Sequence, residues 1–395
     1  MEAQMSYGPI QPTSDYLEQL HHHVHPQRDL KKAGYIFAEL SPVELQRKER
    51  CSRCCKALKK ERRRNLPDKP NTQSAPNFGK AGPNDAVTRS QLGVHIKQAS
   101  DTTVGEMKRT QKGSSADSPL ICRYHDGRVA NRRWTCCNGA LFSNPCAGQK
   151  EHSPRHYSTG ELEKNWQFHE TRTEALPTHV AAVVLDCEMG TASTGESELI
   201  RLSMVDFFTG ATLIDSLVYP SVKMTHYNTR FSGVTKQAME DSRRRRQCII
   251  GRDSARQAVY KFVGPETVVI GHAGHQDLTS LRWTHHRVVD TLMLETRKRS
   301  LEADMAEHKR WEEAEKADGA EAASPAVNAD EQDNITAPSA QEGGLSLKAL
   351  ALTRLNRVIQ VKGRGHNSLE DALATRDLLH WHIRNTLEST AEGLW

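Results

Sequence analysis

The chain has 395 residues, room for two or three domains, yet 36% hydrophobic residues and a mean hydropathy of −0.68 are too low for one compact body of that length, so the core is confined to part of it. The formal net charge of +5 admits a polyanionic partner without requiring one, and no apolar run approaches the roughly 18 residues that would cross a membrane. The start, MEAQMSYGPIQPTSDYLEQL, lacks the layout of a secretory signal; a reducing compartment is the expectation, which leaves the nine cysteines needing a role other than disulfides.

Residues 1–50 are polar and are expected to be mostly disordered, with a short helix in SPVELQRKER. The HHHVH run at 21–25 reads as a solvated tract, with weak metal binding as the alternative. Next comes CSRCCKALKKERRR, where three cysteines lead into a basic run that is a nuclear address, a phosphate-binding patch or a solvated charge run. A Pro-, Asn-, Gly- and Ser-rich linker is expected at about 65–118, inside a Cys/His-rich region spanning 51–157. From about 178 to 390 the character is that of a folded α/β domain. HVAAVVLDCE, ELIRLSMVDFF and ATLIDSLVYP read as three strands joined by the turn signals TGES and TG, an antiparallel meander. RDSARQAVYKFV is helical in period, ETVVIGH a short buried strand, HQDLTSLR a helix, and HRVVDTL a strand then a turn. This alternation implies parallel pairing and a mixed sheet with helices on its faces. A charged, then low-complexity insertion at about 296–342 interrupts the pattern before LSLKALALTRL and SLEDALATRDLLHWHIRN resume it as helices.

Within VVLDCEMG, Asp186 and Glu188 place two carboxylates on one face of an apolar strand. Like charges at a partly buried strand end are costly unless a cation joins them, and a hard cation needs further oxygen ligands. Asp277, in the first turn of the helix after VVIGH, and Asp371, in the first turn of the last helix, are the candidates. Taken alone, Asp371 would be read as half of an S-x-x-D capping box with Ser368, and His366 as a loop histidine.

The set in this order resembles the DEDDh 3'–5' exonucleases, and among them the Rex-type RNA exonucleases. LDCEMG, YNTRFSGVT, GHAGHQDLTSL, HRVVDTL, LSLKAL and GHNSLEDALATRDLL carry the likeness over about half the chain. The resemblance implies a ribonuclease-H-like fold in which Asp186, Glu188, Asp277 and Asp371 converge on two Mg²⁺ or Mn²⁺ ions, with His366 as general base. It also implies a single-stranded RNA 3' end as substrate and 5'-nucleoside monophosphates as products, in RNA processing or turnover. Met189 and Gly190 would lie beside the terminal nucleotide. Phe231 would touch a base or sit in the core, and His272 would make a structural hydrogen bond or contact the substrate. Asp290 is left out of the catalytic set, and Gly274 stands where many relatives carry an apolar side chain.

In the cysteine island, Cys122, His125, Cys136, Cys137, Cys146 and His152 have C-x2-H and C-x5-H spacings that suit one structural Zn²⁺, and Cys51 and Cys54 bring the candidates to eight, enough for a second. CRYHDG, WTCC and the closing Cys…His resemble, in part, the CHORD zinc-binding domains. Such a module would grip RNA through Arg128, Arg132, Arg133 and Trp134, or dock a protein partner. The expected function is thus a metal-dependent exoribonuclease, nuclear or cytoplasmic. The alternatives are an exonuclease on single-stranded DNA and a catalytically silent zinc-containing adaptor.

Overall fold

A computed structural model describes residues 5–58, 119–141, 143–320, 344–363 and 365–392. The expected linker at 65–118 and the low-complexity second half of the 296–342 insertion lie outside these residues. The chain divides into two units, Met1–Leu58 with Ser153–Trp395, and Lys59–His152.

The larger unit is built on β1 (Ala182–Ala192), β2 (Ser197–Asp206), β3 (Thr212–Tyr219), β4 (Val268–Gly271) and β5 (Val288–Asp290). Their order in the sheet is β3-β2-β1-β4-β5; β1 pairs antiparallel with β2, and β2 with β3, whereas β4 runs parallel to β1 and β5 to β4. An antiparallel meander continued by two parallel strands is the ribonuclease-H-like sheet. The apolar run Val183–Leu185 is at most 2% exposed because helices cover both faces. Burial of this kind stabilises by roughly 1.5–3 kcal/mol per aliphatic side chain.

The helices that matter to the site are α1 (Ser14–His22), α2 (Gly251–Val259), α3 (His275–Leu281), α4 (Thr291–Ala320), α5 (Leu347–Leu355) and α6 (Ser368–Glu392). Val183, Leu185 and Cys187 pack with Val259, Leu278 and Leu281 of α2 and α3. Ala182 and Val184 pack on the other face with Leu373, Leu379 and Ile383 of α6. Alternation along the strand therefore sends Asp186 and Glu188 to the α6 face. Just past Glu188 the pairing shifts: Glu188 faces Arg201 but Met189 faces Leu199, so Ile200 is an extra residue in β2. Such bulges bend a strand and end its regular pairing, here at the second carboxylate.

Residues 5–50 are not disordered. Ile10, Tyr16, Leu20, Leu30, Tyr35 and Phe37 are all buried, the first three against the α6 face and the others against the α2–α3 face. Arg376 of α6, fully buried, donates to the carbonyls of Tyr7, Gly8, Phe207 and Phe208, and its neighbour Asp377 accepts from the Ser6 N–H. HHHVH is solvated only in part: His21 and His22 are exposed, whereas His23, Val24 and His25 are half-buried. It closes α1, and the His25 N–H donates to the Val288 carbonyl, so this segment lines the sheet edge at β5. The expected short helix is present at Pro42–Gln46, with a capping box between Ser41 and Glu44. Beyond β5 there is no turn: α4 begins at once and, 30 residues long, carries the chain into the insertion.

Among its described residues the smaller unit has little regular structure. Cys122–Tyr124 pairs with Ala147–Gln149, and Val129–Ala130 with Arg133–Trp134. Asn131 and Arg132 join the latter pair with φ of 49° and 60°, the positive values a two-residue hairpin turn demands.

Candidate active site and zinc site

Four carboxylates reach the site from three directions. Asp186 and Glu188 come from β1, Asp277 from the first turn of α3, and Asp371 from the first turn of α6. Ligand oxygens of Asp186, Glu188 and Asp371 lie within 4.8 Å of one another. Asp277 is anchored at their edge: its Oδ1 accepts the Cys187 N–H at 3.1 Å, from the residue between the two strand carboxylates.

The environment disfavours their charge. Burial, then the three neighbouring carboxylates, hold Asp186 well above the usual carboxylate range. Burial and Asp371 push Glu188 up to about 8, and burial pushes Asp371 up to about 7. Asp277 is raised as well, chiefly by burial. Arg201 stands directly across from Glu188, but its guanidinium is committed to a bidentate pair with Asp215 at 2.9–3.1 Å. Glu188 Oε1 and Asp371 Oδ1 are buried with no hydrogen-bond partner. Buried, unpartnered and mutually repelling oxygens of this kind fit divalent cations that take oxygen ligands.

His366 sits at the rim. Its Nδ1 is 4.0 Å from Asp371 Oδ2, its side chain is 43% exposed, and its backbone N–H donates to the Phe231 carbonyl. Burial, with help from Lys348, lowers its pKa, so the ring is neutral and able to accept a proton at neutral pH. Gly365 enables that placement: its φ is +75°, and a Cβ there would stand 2.5 Å from the Gly233 nitrogen. A cleft of about 650 Å³ opens beside His366, lined among others by Gly233, Val358, Val361 and Asn367.

The other predicted residues divide. Phe231 is 61% exposed next to His366, which rules out its core reading. His272 is held structurally, one ring nitrogen against Thr291 Oγ1 at 2.9 Å and the other 3.2 Å from the Leu345 carbonyl. Gly190 is buried rather than open to a nucleotide: a Cβ there would meet Met224 at 2.6 Å, because Met224–His226 pairs across the end of β1. Met189 is half-buried against the core, its carbonyl accepting from Asn228. Ser368 does not cap α6. Asn367 Oδ1 accepts the Leu369 N–H, while the Ser368 hydroxyl meets that of Ser203 at 2.7 Å. Gln360, absent from the sequence reading, donates to Asp371 Oδ2 at 3.0 Å. Asp290 accepts from Tyr35, Ala273 and Leu292.

In the smaller unit, His125, Cys136, Cys137 and Cys146 converge, with ligand atoms within 4.8 Å of one another. His125 Nδ1 is 3.7 Å from the Cys136 sulfur and 3.5 Å from that of Cys137; the sulfurs of Cys146 and Cys136 are 3.4 Å apart, far beyond a disulfide bond. Tetrahedral zinc would space such donors roughly 3.5–3.8 Å apart, given Zn–S near 2.3 Å and Zn–N near 2.0 Å. The His125 Nε2 meets the Ser143 carbonyl at 3.2 Å, which leaves Nδ1 to face the thiols. Trp134 stacks on this ring at 4.3 Å and donates to the Leu141 carbonyl, so it is committed to the site rather than free for a base. Cys122 and His152 stand outside this group. Cys51 and Cys54 belong to the larger unit.

No family model matches the chain. Curated proteins do. RNA exonuclease 3 of Candida albicans is 24% identical over 275 residues, covering 69% of this chain and 56% of that protein. The human RNA exonuclease 1 homolog is 32% identical over 274 residues, 67% of this chain and 18% of that protein. RNA exonuclease 3 of Saccharomyces cerevisiae is 31% identical over 189 residues, 45% of each. The chain is a relative of the Rex-type RNA exonucleases. It spans about half or less of the length of these relatives. Among solved structures, the Neurospora crassa Pan2 catalytic unit (protease and nuclease domain) is similar at 15% identity and a TM-score of 0.37, over 64% of this chain and 36% of that one.

Proposed function

We propose that the chain is a metal-dependent 3'–5' exoribonuclease of the DEDDh type, releasing 5'-nucleoside monophosphates from single-stranded RNA. The observation that carries this reading is the meeting of Asp186, Glu188 and Asp371, with two buried oxygens left unpartnered, beside a neutral, accessible His366. Asp186, Glu188, Asp277 and Asp371 are the residues that would hold two Mg²⁺ or Mn²⁺ ions. Bound divalent cations supply the positive charge that a scissile phosphate requires in its transition state and lower the pKa of water. His366 takes the proton from the attacking water, whose oxygen bonds to phosphorus as the bond to the 3' oxygen of the preceding nucleotide breaks. Asp371, 4.0 Å from the ring, favours the imidazolium formed in that step. Phe231 offers the exposed ring on which a base near the 3' end stacks.

RNA is favoured over DNA by the names of the relatives. The donor spacing at His125, Cys136, Cys137 and Cys146 supports a structural zinc in the smaller unit. A nuclear address rests on the basic run after Cys55 alone. The deciding experiment is degradation of 5'-labelled, 3'-hydroxyl single-stranded RNA and DNA with Mg²⁺, Mn²⁺ or EDTA, alongside Asp186→Ala. A metal-dependent ladder shortening from the 3' end of RNA, lost in the variant, is expected. Equal inertness of both proteins on both substrates would remove the exonuclease reading and favour the silent adaptor.

A further inference from the structure

We infer that Tyr35, from the N-terminal segment, is a positioning residue for Asp277, acting through Asp290 on the turn that launches α3. The inference rests on the reading of Asp277 as a cation ligand. The N-cap of α3 is Gly274, which supplies no side-chain cap, so the entry to its first turn has to be fixed from outside the helix. The preceding residue, Ala273, is held at a φ of +56°, a conformation an alanine adopts only when its surroundings enforce it. The enforcing group is Asp290 at the end of β5. Its Oδ1 accepts the N–H groups of Ala273 and Leu292, both at 3.0 Å.

The other oxygen of Asp290 faces Tyr35, whose buried hydroxyl donates to Oδ2 at 2.7 Å. Burial and that carboxylate keep the phenol protonated, well above its usual range. Three donors thus occupy Asp290, a carboxylate near enough to Asp277 to raise its pKa. It therefore steers the turn rather than competing for a cation, in contrast to the unpartnered oxygens of Glu188 and Asp371. The fit around the hydroxyl is close. A Cβ on Gly274 would stand 3.0 Å from Tyr35 Oη and 4.0 Å from Asp277 Oδ2, so the glycine leaves room for a side chain arriving from far upstream. Tyr35 also meets the His275 ring edge-on at 5.9 Å, at the first residue of α3.

The test is Mn²⁺ binding to the full chain, by calorimetry without RNA, in wild type and in Tyr35→Phe, Gly274→Ala, Leu30→Ala and Asp277→Asn. Tyr35→Phe keeps the ring and removes only the donor; it should weaken Mn²⁺ binding about 10- to 100-fold, as loss of an outer-shell partner does. Gly274→Ala crowds the same hydroxyl and should act in the same direction. Leu30→Ala opens a cavity in the same segment without touching Asp290, so it should lower the Tm and leave Mn²⁺ affinity alone. Wild-type affinity in Tyr35→Phe, or an equal loss in Leu30→Ala, would overturn the inference and reduce Tyr35 to packing. A wild type indifferent to Asp277→Asn would instead sink the metal-site reading itself.

Discussion

Glu188 Oε1 and Asp371 Oδ1, buried and without a partner, make the site a pH-sensitive one. In the cation-free chain burial raises Glu188 from 4.5 to about 8 and Asp371 from 3.8 to about 7. The folded state thus binds more protons than the unfolded state between about pH 4 and 8. The stabilisation from these protonated acids is fully present below about pH 4 and is lost as pH rises through 7 to 8. Divalent cations take the deprotonated form, so the two ligands compete. The cation-free Tm is expected to fall as pH rises from about 5 to about 8.5, and the increment that Mn²⁺ adds to it should grow over the same range. An increment independent of pH would show that these carboxylates are not the ligands. At the rim, His366→Ala should reduce kcat about 10²- to 10⁴-fold while leaving Mn²⁺ affinity in place, as loss of a general base does. Gly365→Ala should reduce it in the same sense, because its Cβ and the Gly233 backbone compete for one position. Single-turnover rates at saturating Mn²⁺ would separate both from a binding defect.

At the level of elements, legibility followed contrast with the surroundings. Asp186 and Glu188 stood out because they interrupt an apolar strand, and Asp277 and Asp371 because each opens a helix with clear period; the resemblance then joined them. The meander and the two parallel strands were readable for the same reason. The N-terminal segment was not, because Ile10, Tyr16, Leu20, Leu30, Tyr35 and Phe37 are spread singly through polar sequence and fill separate places on both faces of a sheet about 150 residues later. Burial of that kind leaves no periodic signal. Gln360 and Arg201 were missed similarly, as loop geometry and strand register decide their roles. Gly190 was misplaced because the bulge at Ile200 and the strand Met224–His226 are tertiary features. Arg376 ties the N-terminal segment to α6 by hydrogen bonds, so Arg376→Met should cost about 3 kcal/mol in urea unfolding, because four carbonyls lose their donor and Asp377 keeps only Arg357 and the Ser6 N–H. A cost below about 1 kcal/mol, the size of an ordinary surface contact, would mean the clasp is incidental.

Across the whole molecule, donor chemistry sorts the two kinds of metal. The larger unit gathers oxygen donors around Asp186, and the smaller gathers three sulfurs and one imidazole around His125. Carboxylates favour Mg²⁺ and Mn²⁺, whereas thiolates and imidazole favour zinc, so neither set should retain the other's ion when both metals are present. The thiols of the smaller unit also share protons: hydrogen bonding, above all from Cys146, outweighs desolvation and brings Cys136 down to about 7, whereas donating to Cys136 pushes Cys146 up to about 11. Because Cys136 lies so near neutrality, zinc uptake should weaken steeply below about pH 6, where protons displace the metal. Elemental analysis after dialysis should therefore find about one zinc per set of four such ligands at pH 7.5 and loss of it on Cys136→Ser, with Mg²⁺ exchanging freely. A zinc-selective chelator in excess Mg²⁺ should strip that zinc yet leave RNA hydrolysis within about twofold, since the oxygen ligands do not hold zinc by preference. Should hydrolysis stop with the zinc while Mg²⁺ is saturating, the catalytic ion is zinc, and the assignment of hard cations to Asp186, Glu188, Asp277 and Asp371 fails.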